Sequence, residues 1–178
     1  LGVIILTFLQ GETILPSERD KKEILTINER KRTYYQLHNN SLTYKMAGPK
    51  RVEIIARGVV PKKDYKEVRF SYKLIMDNGD SIIISHTAAK TKKITSSQHP
   101  DHGFTLPGKY FINIPKGNHW FKIEPIPKID LPVVIRVRVK GFEKGDEHRQ
   151  FVQAVTGIKP KNLIIGEKSV QYYELKHG

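Results

Sequence analysis

Residues His99-Pro100-Asp101-His102 carry the one spacing in this sequence that suits metal chemistry, since two imidazoles and a carboxylate so close together can offer three ligands to zinc or copper. Pro100 restricts the backbone between them, and no fourth ligand is indicated. His99, Asp101 and His102 are therefore expected in a solvated loop within the polar stretch 95–103, and no metal or other cofactor is expected. A serine nucleophile would sit on a sharp, glycine-flanked turn, yet no G-x-S-x-G occurs, nor does a P-loop or a dinucleotide fingerprint. Cysteine is absent, which removes thiol nucleophiles, Cys-ligated zinc and disulfides together. Asp77 and Asp80 fall where turns are expected and aspartate bonds nearby backbone. No catalytic residue is assigned, and the chain is not read as an enzyme. A small hydrolase would need His99 or His102 to meet acidic residues in a cleft.

Binding chemistry is better represented. Lys and Arg total 31 against 18 Asp and Glu, a formal net charge of +13, and the pI is near 9.8. Basic residues gather at 30–32, at 62–63 with Lys66, at Lys90 with 92–93, and in the alternating stripe Arg136, Arg138, Lys140. Such a stripe fits an anionic polymer or polysaccharide, with a counterion released at each neutralised group. The same charges also keep a surface soluble and guard strand edges. Nucleic acid is disfavoured as a partner because charge alone supports it. Aromatic pairs in strands place one ring inside and one outside, so one of Tyr34 and Tyr35 and one of Tyr110 and Phe111 should be exposed. Tyr35 and Trp120 join Arg136, Arg138 and Lys140 as candidate ligand contacts, because open rings can stack on sugars or bases.

These side chains must be positioned by strands. Val68, Phe70, Tyr72, Leu74 and Met76 alternate with polar residues, and Asn78-Gly79 then predicts a type I′ hairpin into 80–86. Leu42, Tyr44 and Met46 alternate, Gly48-Pro49 punctuates, and Val52, Ile54 and Ala56 alternate again. Tyr110, Ile112 and Ile114 precede a turn at 116–118, with His119, Phe121 and Ile123 on the return strand. Val133, Ile135, Val137 and Val139 face inward opposite the basic stripe. No stretch offers a helix of twelve or more residues with apolar spacing of three and four. The expectation is an all-β fold, an antiparallel β-sandwich of immunoglobulin-like or jelly-roll type.

The 178 residues suffice for one ordinary domain with flanking pieces. Leu1 to Leu9 is an apolar run too short to span a bilayer and shaped like the end of a signal peptide. The boundaries expected are a signal-peptide remnant over 1–11, a linker over 12–23, the sandwich over 24–142, a second linker over 143–162, and a repeat start or final strand over 163–178. The last segment follows from overlaying Leu163–Leu175 on Leu25–Leu37 at an offset of 138 residues, which matches Leu, Ile, Glu, Tyr, Tyr and Leu. Tyr34-Tyr35, Gly48-Pro49 and the Ile114-Pro115-Lys116-Gly117-Asn118-His119 turn resemble tandem β-sandwich modules, immunoglobulin-like or carbohydrate-binding-like, of exported bacterial proteins. That resemblance implies an adhesion, scaffold or carbohydrate-binding part and transfers no functional residue. Together these readings give a non-catalytic, exported interaction or structural module of a cell-surface or periplasmic protein, joined to further domains, with no transmembrane span in the mature chain. The alternatives are a carbohydrate-binding module or, less well supported, a polyanion binder.

Overall fold

The computed structural model describes residues 11–62, 67–126 and 131–140, with the backbone of 161–165 and 168–172. The apolar run Leu1 to Leu9 and most of the second expected linker lie outside the described residues. The chain divides after Lys140 into two units. The first holds β1 (Thr13–Ile14), β2 (Lys22–Ile27), β3 (Arg30–Leu37), β4 (Leu42–Pro61), β5 (Glu67–Met76), β6 (Ser81–Thr91), β7 (Ile94–Ser96), β8 (His102–Thr105), β9 (Gly108–Glu124) and β10 (Val133–Lys140). The second holds β11 (Lys161–Ile165) and β12 (Lys168–Tyr172). No helix among the described residues is long and apolar enough to cross a membrane.

The all-β, antiparallel expectation is met. Hydrogen bonding traces one ten-stranded sheet in which β4, β8, β6, β5 and β9 close into a barrel, because β9 pairs back with β4. From the other edge of β4 the sheet continues through β10, β3 and β2 to β7, and β1 also pairs with β10. This is neither the immunoglobulin-like nor the jelly-roll path expected from strand spacing. Closure removes the free edges that two separate sheets would leave.

Two long strands make this arrangement. The segments read as separate strands on either side of Gly48-Pro49 are one strand of 20 residues. The hairpin expected at 116–118 is likewise one 17-residue strand, in which Gly117 adopts φ +119° without reversing the chain. β4 and β9 run side by side from Leu42↔Ile123 to Ala56↔Gly108, with a register shift between Gly48 and Lys50. Sequence punctuation at both places marks an irregularity shared by the two strands rather than a pair of turns.

Alternation then sorts the core. Tyr44, Phe70, Tyr72, Phe121, Ile54 and Ile135 fill the main cluster, where the Tyr44 and Phe121 rings stack with centroids 5.0 Å apart. A second cluster of Leu25, Tyr34, Ile55, Val59, Ile94, Phe104 and Val134 lies on the opposite face of β3, β4 and β10. Both faces of these strands are therefore covered, and β4 is buried continuously from Val52 to Val60. Fully burying a side chain of this size contributes about 1.5–3 kcal/mol.

Two turns differ from expectation in detail. At Asn78-Gly79 only Gly79 takes positive φ, at +89°, and the amide of Met76 donates to the Asp80 carbonyl, so the loop is longer than a type I′ turn. The two-residue reversal with positive φ at both positions is Asn28-Glu29, joining β2 to β3. Residues 12–23, expected as a linker, join the sheet outside the barrel: Thr13 and Ile14 pair with β10, and Lys22 and Glu23 begin β2. The described strands of the second unit, β11 and β12, pair antiparallel, and their register Ile165↔Lys168 coincides with Ile27↔Arg30 under the same 138-residue offset.

Candidate ligand-binding face

On β4, the side chains opposite the main core are Arg51, Glu53 and Ile55, because Val52, Ile54 and Ala56 point inward. Register carries the outer row across neighbouring strands. Arg138 lies opposite Glu53 and Lys140 opposite Arg51 on β10, while Phe111 and Asn113 face the same two residues on β9. Arg136 and Lys109 flank Ile55. Cations from three strands thus surround one carboxylate.

That carboxylate, Glu53, is 1% exposed. Arg138 Nε donates to its Oε2, and Lys109 Nζ lies 3.4 Å from its Oε1. Burial pushes the Glu53 pKa up, but the Arg138 hydrogen bond and the charges of Arg138, Lys109 and Lys140 outweigh it, leaving the group below the usual carboxylate range. The neighbouring Arg136 is partly buried, and one of its Nη atoms donates to Thr13 Oγ1 at 2.6 Å. Burial pulls its pKa down; Tyr34 and Glu53 oppose that, and Arg32 and Arg138 add to it. The Arg51 guanidinium stacks 4.7 Å from the Phe111 ring centroid.

The bulge extends this face. Between Gly48 and Lys50 the partner positions on β9 move from Gly117 to Ile114, so β9 holds one more residue than β4. Its inward set shifts from Ile112 and Ile114 to Phe121 and Ile123. Trp120 therefore points outward, as Phe111 does, and lies opposite Lys45 with Lys122 two residues on. Trp120 is 38% exposed.

The structure brings Arg136, Arg138 and Lys140 together as expected, adds Arg51, Lys109 and Phe111, and places Trp120 further along the same side. Tyr35 is corrected: at 3% exposure it belongs to the main core, and its neighbour Tyr34 is 2% exposed in the second cluster, so neither ring is open. Alternation put them on opposite faces, and both faces are covered. Tyr110 and Phe111 are both half-buried. Arg51 and Lys109 escaped the sequence reading because only the register between strands joins them to the stripe.

The His99–His102 pair is organised by Glu23, which falls inside the expected linker. Glu23, 1% exposed, accepts hydrogen bonds from Ser96 Oγ, from Gln36 Nε2 at 2.7 Å and from His99 Nδ1 at 2.8 Å. Burial pushes its pKa up, and the bonds from Ser96, His99 and Gln36 bring it below the usual value. Ser96 Oγ also accepts the amides of Gln98 and His99, which makes it a turn clamp rather than a nucleophile. The His102 ring stacks on His99 with centroids 4.7 Å apart, and Asp101 is exposed. A cavity of about 130 Å³ opens beside Glu23, Gln36, His38 and His102. Among the described residues no group of three or more His, Cys, Asp or Glu is arranged to hold a metal ion. His99 thus meets an acid beside a cleft, with no hydroxyl among the described residues placed for attack.

No family model matches the chain, and no curated protein matches it. A solved structure of a family GH115 4-O-methyl-alpha-glucuronidase with specificity for decorated arabinogalactans matches with a TM-score of 0.38 and 14% identity, over 74% of this chain and 17% of that chain. A likeness of that size carries neither fold nor activity across.

Proposed function

We propose that this chain is a non-catalytic interaction module of an exported protein, binding an anionic polymer on the outer face of β10, β4 and β9. The observation that supports it most is the grouping of Lys109, Arg136, Arg138 and Lys140 around Glu53, the one carboxylate among them in the described residues. Several cations per anion leave positive charge to be matched from outside, and guanidinium forks suit sulfate, phosphate and carboxylate alike. The export assignment rests on the shape of the Leu1–Leu9 run. The coincident registers of the two hairpins favour a repeated module, an arrangement common where weak interactions add along a polymer.

The test is retention on a heparin column as salt is raised. Binding should persist beyond about 0.15 M salt, where the Debye length is already about 8 Å. The triple variant Lys109→Ala, Arg136→Ala, Lys140→Ala should elute earlier and lower the slope of log affinity against log salt by about one for each anionic group no longer neutralised. Elution of the unsubstituted protein below about 0.15 M would remove the polyanion reading.

A further inference from the structure

The cationic face does not end at Phe111. On the same side of β4 and β9, beyond the bulge, Trp120 stands opposite Lys45, and Lys122 follows it on β9. Lys45 precedes Arg51 by six residues on β4, roughly 20 Å at the usual rise per strand residue. An open aromatic ring and a cluster of cations therefore share one elongated surface. The extra residue in β9 is what turns the indole outward, since unbroken alternation from Ile112 would send position 120 inward.

We infer that the polymer bound by this face is an anionic polysaccharide, with a sugar ring stacked on Trp120 while its acidic groups meet Lys109, Arg136 and Lys140. This rests on the polyanion reading of the cationic face and adds the chemical class of the ligand. An indole offers a flat, polarisable surface to the C–H face of a sugar, and flanking lysines hold its carboxylate or sulfate groups. Lys45 is exposed, and Lys122 lies 3.9 Å from Glu124, a loose pairing that leaves it able to turn toward a ligand. Single-stranded nucleic acid fits less well because its binders stack successive bases on successive rings. Phe111 already has Arg51 over its face, so among the described residues Trp120 is the one open ring on this strip.

Trp120 is the single tryptophan of the chain, so its fluorescence reports the site directly. Titration of the full chain with heparin, inorganic polyphosphate and an oligothymidylate tests the inference, alongside Trp120→Ala and Trp120→Phe. Heparin should shift the emission, Trp120→Ala should weaken heparin binding about fivefold, and Trp120→Phe should restore most of it. Polyphosphate should bind both proteins equally and leave the emission unmoved. Matched thermal unfolding of the variants excludes a folding defect. If Trp120→Ala binds heparin unchanged, or if the oligothymidylate depends on Trp120 more strongly than heparin does, the polysaccharide assignment is overturned while the polyanion site stands. If none of the three polymers binds, the cationic-face reading itself fails.

Discussion

Glu53 and Glu23 do similar physical work in different parts of the sheet. Each is a carboxylate 1% exposed, and each is kept ionised by donors reaching it from other parts of the chain: Arg138 and Lys109 for Glu53; Gln36, Ser96 and His99 for Glu23. Deleting the Glu53 anion costs more than the ion pair alone because Arg138 stays behind, partly buried and unmatched. Glu53→Gln should therefore lower stability at neutral pH by about 2 kcal/mol, read from urea denaturation. The sign of the pH effect follows from the direction of the shift. Both folded-state pKa values lie below the ordinary 4.5, so their stabilisation is complete above that value and is lost as acid protonates the folded carboxylates. The gap between the unsubstituted protein and Glu53→Gln should accordingly narrow as the pH falls from 5 toward about 3. A gap that stays constant across this range would show that folding does not lower the Glu53 pKa.

The pairing of β4 with β9 decides where side chains go, and it is also where the amino-acid pattern stops being legible. Period-two alternation located the inward residues of β4, β5, β9 and β10 correctly, because a strand with one dry side must alternate. It could not tell a bulge from a turn, since Gly48-Pro49 and Pro115 to Asn118 have the composition of both. Nor could it show that β3 and β4 are covered on two sides, which is why both Tyr34 and Tyr35 are buried. Glu23 was hidden for a different reason: its donors come from Ser96 and His99, 73 and 76 residues away. Close approach at the bulge gives the element its own test. A Cβ added at Gly48 would lie 1.8 Å from the Pro115 carbonyl oxygen and 2.8 Å from that of Ile114, both backbone atoms of the partner strand. Gly48→Ala must push the strands apart and should cost about 2–3 kcal/mol, with a lower urea midpoint at an unchanged slope. A midpoint within experimental error of the parent would mean that the two long strands are not locked together there.

Across the whole chain, the net charge of +13 works against compactness and for ligand capture at once. Like charges gathered on one face repel, and closure of the barrel together with the buried Glu53 hold them in place. A polyanion relieves that repulsion and binds the folded chain in preference to the unfolded one, in which the same cations are scattered. Mass action then converts affinity into stability: at a free concentration one hundred times the Kd, a ligand adds about 2.7 kcal/mol. For a chain of this size that corresponds to a rise in Tm of roughly 5–10 °C. Heparin at saturating concentration should raise Tm by this amount in 50 mM salt and by much less in 0.5 M salt, whereas a neutral polysaccharide should leave Tm unchanged under both conditions. The Lys109→Ala, Arg136→Ala, Lys140→Ala protein should lose most of the heparin-induced rise. A shift of equal size in that variant would mean that the charges outside this face capture the polymer, because net charge alone acts wherever lysines lie, whereas an organised face acts only through its own residues.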